Sequence, residues 1–132
     1  MTHLLDTNLC SAHVRRPGGL AHRFFQHAGQ IAVPTIVVAE MYAGARRLPN
    51  PGRLLTAIAD LLQEVTILSF DLDCAEKYGE IQGAVQRQGM RVPAVDLMIA
   101  AVALVHDLTL VTHNTADYRN VPGLRLVDWL VP

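Results

Sequence analysis

The chain has 132 residues, 51% of them hydrophobic, with a formal net charge of −1 at pH 7. That length suits one domain over residues 1–132 that buries about two thirds of the surface its unfolded form exposes, and the near-zero charge gives no general signal for binding a polyanion. The longest apolar run, Leu97 to Val105, is far short of the roughly 20 residues that span a bilayer, and the first residues lack the basic-then-apolar pattern of a signal peptide, so the chain reads as soluble and cytoplasmic.

In chain order, "HLLD" (3–6) predicts a short buried strand, and "TNLCSAHVRR" and "GLAHRFFQHA" predict two helices split at Pro17, Gly18 and Gly19. "IAV" (31–33) predicts a second strand, after which Pro34 opens the helix "TIVVAEMYAGARRL", which stops at "PNPG". A fourth helix covers about 53–63, "VTILSF" (65–70) is a strand, and a long helix runs from Leu72 to about Gln88. An apolar helix from about Ala94 to His106 follows, and "LTLVT" (108–112) and "LRLV" (124–127) close the chain as strands. Strands separated by helices imply right-handed crossovers and a parallel sheet covered on both faces. In such sheets ligands bind outside the carboxyl ends of the strands.

Four acids fall near that edge. Asp6 ends the first strand, Glu40 sits on the inward face of the third helix, Asp96 lies in the first turn of the apolar helix, and Asp117 follows the strand "LTLVT". Each has a structural use: Asp6 and Asp96 stand where helix N-caps stand, Asp117 could organise a turn with Asn114, and Glu40 could pair with an arginine. As a set they repel one another, and a mid-helix Glu40 cannot be a cap. A hard divalent cation, Mg2+ or Mn2+, answers such a set, because it takes oxygen ligands from a few carboxylates, keeps several waters and accepts substrate phosphate. Crowding of this kind also predicts at least one carboxyl with a raised pKa when metal is absent.

The ordered motifs "LLDTN", "AEMYAGA", "VDLMIAA", "THNTADY" and "GLRLVDW" resemble the PIN domain, and within it the VapC-type toxins of type II toxin–antitoxin systems, from Leu4 to Trp129. The resemblance implies a three-layer α/β/α fold with a central parallel sheet and a Mg2+- or Mn2+-dependent endoribonuclease that cuts transfer or ribosomal RNA. It also implies an acidic pocket of Asp6, Glu40, Asp96 and Asp117 lined by Thr7 and Asn114. Such toxins are dimers silenced by a cognate VapB-type antitoxin. A PIN-like chain that has lost catalysis and serves as a binding partner is the alternative. Tyr118 stands where phenylalanine is commoner in this family.

Ten arginines face one lysine, Lys77. Arg15, Arg16, Arg46, Arg47, Arg91 and Arg119 are candidate contacts for RNA phosphates or plain solvated surface. His113 is a candidate RNA contact or acid, whereas His3, His13, His22, His27 and His106 show no ligand spacing and read as surface residues. Trp129 reads as a core or interface anchor. Helices containing "CSAHV" and "AHRFF" carry more apolar surface than they need, which suggests an antitoxin or dimer groove. "FDLDC" (70–74) is similar to a phosphatase DxD, but reads as a cap of the following helix by Asp71 or Asp73. Cys10 and Cys74 show no CxxC pattern and read as reduced thiols, not a zinc site.

Overall fold

Leu4, Leu5, Ala32, Val33, Leu110 and Val111 have no solvent exposure, and these β-compatible pairs form the middle of a sheet. The computed structural model describes residues 1–131. Among them are five strands: β1 (His3–Leu5), β2 (Ile31–Pro34), β3 (Thr66–Leu68), β4 (Thr109–Val111) and β5 (Leu126–Val127). The helices are α1 (Thr7–Arg15), α2 (Pro17–Gln26), α3 (Thr35–Arg46), α4 (Gly52–Glu64), α5 (Leu72–Arg87), α6 (Ala94–Val105) and α7 (Thr115–Tyr118).

The sheet order is β3-β2-β1-β4-β5 and every pairing is parallel, with Leu4 opposite Ala32 on one side and Leu110 on the other. From β1 the chain steps twice in one direction, then crosses over and steps away in the other. Right-handed crossovers therefore place α1–α4 on one face and α5–α7 on the opposite face. The strand order reverses between β1 and β4, and the crevice at their carboxyl ends is the topological switch point.

Local chemistry sets the element ends. β1 stops at Leu5 because the carboxylate of Asp6 accepts the Leu9 N–H at 3.0 Å and caps α1. The expected break at Pro17, Gly18 and Gly19 is narrower than that: α2 begins at Pro17 and only Arg16 separates it from α1. Proline at a first helical position surrenders an N–H that has no intrahelical partner there. Asp71 caps α5 by accepting the Cys74 N–H at 3.0 Å. α6 starts after Pro93, so Asp96 is its third residue rather than its cap. Leu97 and the run from Ile99 to Ala103 are buried, as an apolar helix clamped on several sides must be. α7 is new; four residues are too few to show a helical period in sequence.

Three histidines expected at the surface instead take part in packing. His27 stacks on Trp129 with ring centroids 5.1 Å apart, His3 lies 4.4 Å from His27, and His13 stacks on Phe24 at 3.8 Å. Trp129, only 5% exposed, pins the chain after β5 against the start of β1. β1 is the central strand, so truncating it should be costly. Leu4→Ala is expected to lower stability by about 2–5 kcal/mol in urea unfolding, and a loss under about 1 kcal/mol would contradict the central place of β1.

Candidate active site at the carboxyl edge of the sheet

Asp6 leaves β1 at the switch point and is 3% exposed. One carboxylate oxygen accepts the Leu9 N–H, and the other accepts the Thr112 hydroxyl at 2.5 Å. Thr112 follows β4, is fully buried, and its oxygen in turn accepts the Asn114 N–H at 2.9 Å. A chain of donors from Asn114 through Thr112 thus holds Asp6 from the neighbouring strand. Burial pushes the Asp6 carboxyl above the ordinary aspartate range; the hydrogen bonds from Thr112, Leu9 and Asn8 pull it down, and the negative charge of Asp128 adds to the rise.

Glu40 is half-buried on α3, and one of its oxygens accepts the hydroxyl of Thr7, the first residue of α1. Asp96 is half-buried on α6. Its carboxyl is also raised, by burial first and then by the charges of Asp117, Asp6 and Glu40, while the Tyr118 hydroxyl donates to it and lowers it. Tyr118 is 1% exposed, and burial together with the Asp96 charge makes its own proton harder to remove. Asp117 is exposed on α7, where its N–H donates to the Asn114 carbonyl at 3.0 Å. α3 and α6 also touch, which is how Glu40 and Asp96 come within electrostatic range from opposite faces of the sheet.

All four acids, with Thr7 and Asn114, therefore lie at one edge, and Asp96 feels the other three. Among the described residues no three acidic, histidine or cysteine side chains close into a tight coordination cage. The donor set nevertheless fits Mg2+ or Mn2+, which need only one or two direct carboxylates and fill the remaining octahedral positions with water and substrate oxygen. Oxygen donors without a cysteine or histidine group do not fit zinc.

Three contributors escaped sequence reading. Thr112 could have been noticed as a polar, β-branched residue ending a buried strand. The Tyr118 hydroxyl is close enough to Asp96 to lower its pKa, so its difference from phenylalanine concerns the pocket as well as packing. Asp128, just past β5, adds a fifth acid and accepts His113 Nδ1 at 2.9 Å.

A PIN-domain model matches residues 3–124. Ribonuclease VapC2 of Haemophilus influenzae is 35% identical over 131 residues, covering 98% of this chain and 99% of the relative. The tRNA(fMet)-specific endonuclease VapC of Shigella flexneri is 32% identical, with 96% of each chain covered. Among solved structures, the DNA-bound VapBC complex of Salmonella typhimurium superposes with a TM-score of 0.93 at 28% identity, covering 98% of both chains. The chain belongs to the PIN-domain family, among its VapC members.

The raised carboxyls have a measurable sign. A folded state that holds protons more tightly than the unfolded chain is favoured below the unfolded carboxyl pKa, and that advantage is lost as pH rises through the folded values. Metal-free Asp96→Asn should therefore melt a few degrees above the parent at pH 7, with the lead shrinking as pH falls toward the ordinary carboxylate range, about pH 4. Thermal scans at both pH values check this; a variant that melts below the parent at pH 7 contradicts it.

Proposed function

We propose that this chain is the toxin of a toxin–antitoxin pair, an endoribonuclease that hydrolyses RNA phosphodiesters with one or two Mg2+ or Mn2+ ions. The observation that carries the reading is the convergence of Asp6, Glu40, Asp96 and Asp117 at the switch point of a PIN-family sheet. Asp6 and Asp96 would hold the ion, with Glu40 and Asp117 beside them. When bound, such an ion acidifies a coordinated water and offsets the charge that develops on the phosphate.

The chain's own residues do the rest. Leu9 and Thr112 fix both oxygens of Asp6, so the strongest anionic ligand is set before any ion arrives. Thr7 fixes one Glu40 oxygen and leaves the other free to accept a proton from an attacking water. The buried Tyr118 hydroxyl lies near Asp96 and favours its charged form. Asp117, exposed at the rim, would hold water against an incoming phosphate. A naming of one relative for a transfer RNA supports tRNA as the substrate class, and acting on it goes with a cytoplasmic setting. No helix among the described residues is long and apolar enough to cross a membrane.

An antitoxin partner is supported by the VapBC complexes that share this fold. A groove of about 630 Å3 between α1, α2 and α4, lined by Val14, Phe24, Phe25, Ile31 and Leu61, suits an apolar antitoxin segment. Phe25 is 86% exposed there, an arrangement that water disfavours and a partner would cover.

Purified chain with Mn2+ should cleave a tRNA fraction. EDTA should stop cleavage, and Asp96→Asn should reduce it by at least about a hundredfold while the far-UV circular dichroism stays the same. Wild-type rates from Asp96→Asn would sink the ligand role. Phe25→Asp should weaken antitoxin binding about tenfold or more without slowing free-toxin cleavage; unchanged antitoxin affinity would remove the groove from the interface.

A further inference from the structure

The acidic edge solves the problem of holding a cation but creates another: a pocket this anionic, in a chain of net charge −1, repels RNA. Something local must attract the substrate's backbone. Of six arginines that sequence alone leaves equivalent, two line the same cleft as Thr7 and Glu40 of the candidate site. It measures about 340 Å3 and is bordered by Thr7, Ser11 and Arg15 of α1 and by Glu40, Gly44 and Arg47 of α3 and its C-cap.

The spacing explains the convergence. Thr7, Ser11 and Arg15 recur every four residues and so form one stripe on α1, while Glu40, Gly44 and Arg47 form the facing stripe beside α3. Each stripe begins with a member of the Thr7–Glu40 hydrogen bond and ends, two turns later, in an arginine. At 1.5 Å rise per residue the arginines lie roughly 10–12 Å along the helices from the acidic end. That offset is too long for the phosphate under attack and suits another along the same strand. At Gly44, the position a Cβ would take is 3.6 Å from Arg47 Nη2, so the guanidinium folds back over the glycine along the cleft wall.

Both arginines are exposed, and neither makes an ion pair or side-chain hydrogen bond among the described residues. Arg125, by contrast, is held by Asp107 at 2.9 Å. Arg91 borders a different cleft with Gln82 and Gln86, and none of the four acids lines it. Two exposed, unengaged forks on the facing walls of a cleft that also holds Glu40 suit a phosphate in charge and in donor chemistry.

We propose that Arg15 and Arg47 form a subsite for a non-scissile backbone phosphate of the RNA, setting how the strand enters the acidic pocket. This rests on the nuclease reading above. Because phosphate contacts position without reading bases, the subsite supplies affinity and register rather than sequence choice.

The test compares the full chain with Arg15→Gln, Arg47→Gln and the double variant, using labelled tRNA and Mn2+ over a salt series. The double variant should raise KM about tenfold with kcat changed less than about twofold, since the contacts are remote from the reacting bond. The slope of log KM against log salt should fall by about 0.7 for each arginine removed. Lysine at both positions should restore the salt slope and part of the affinity. An unchanged KM and slope overturn the proposal. So does a double variant that cuts RNA normally but loses antitoxin affinity, which would assign the cleft to an antitoxin carboxylate. If the parent cuts no RNA, the nuclease reading fails by itself. Salt-dependent tRNA binding by parent and double variant then decides the subsite, equal binding overturning it.

Discussion

Everything at this site depends on one buried carboxylate. Asp6 directly follows the central strand, where the chain turns into α1, and it does three things at once. It caps α1 through Leu9, it ties β1 to the end of β4 through Thr112, and it stands at the switch point of the sheet. A buried carboxylate is tolerable only when its oxygens are satisfied, and here one donor comes from the first turn of α1 and the other from the residue that follows β4. The geometry of the fold and the position of this carboxylate are thus the same fact.

The other acids are added to this anchor at an energetic cost. Asp96 is raised by burial and by three neighbouring charges, which is a destabilising arrangement in a chain without metal. A protein optimised only for stability would replace one of them. Crowded like charges at the mouth of a parallel sheet make sense as a site waiting for positive charge, and a bound ion would relieve the repulsion while using it for affinity. The same crowding explains why substrate attraction must come from outside the cluster. Arg15 and Arg47 stand two helical turns away, far enough to leave the ion its ligands and near enough to hold the same strand of RNA.

Much of this was readable from sequence because the signals were periodic or paired with strong chemistry. Strands separated by helices specify a parallel sheet, and parallel sheets put their ligands at one edge, so Asp6 and Asp117 could be placed there from chain order alone. Glu40 was legible because a charge on the apolar face of a helix has few innocent uses. What could not be read was the contact between elements distant in sequence. The hydrogen bond between Thr112 and Asp6 joins residues 106 positions apart, and no local period reports it. Nor could spacing show that Asp128 and His113 would pair, that Tyr118 would face Asp96, or which arginines would converge. His3 and His27 differ from expectation for a related reason: each looks solvated alone, and only the closure of the chain ends by Trp129 brings them together. The start of α2 shifted to Pro17, where proline at the first helical position rather than hydrophobicity decided it.

The central claim is that the carboxylate edge anchored on Asp6 is a site for a hard divalent cation. Titration of Mn2+ into the metal-free chain by calorimetry, at pH 6 and in buffers of different ionisation enthalpy, addresses it without relying on any RNA. Binding should occur with release of protons, because ligands whose carboxyls are raised must surrender them to the ion. It should weaken sharply in Asp6→Asn. No binding, or binding that neither releases protons nor responds to Asp6→Asn, would contradict the account and leave the acidic edge without a cation to explain it.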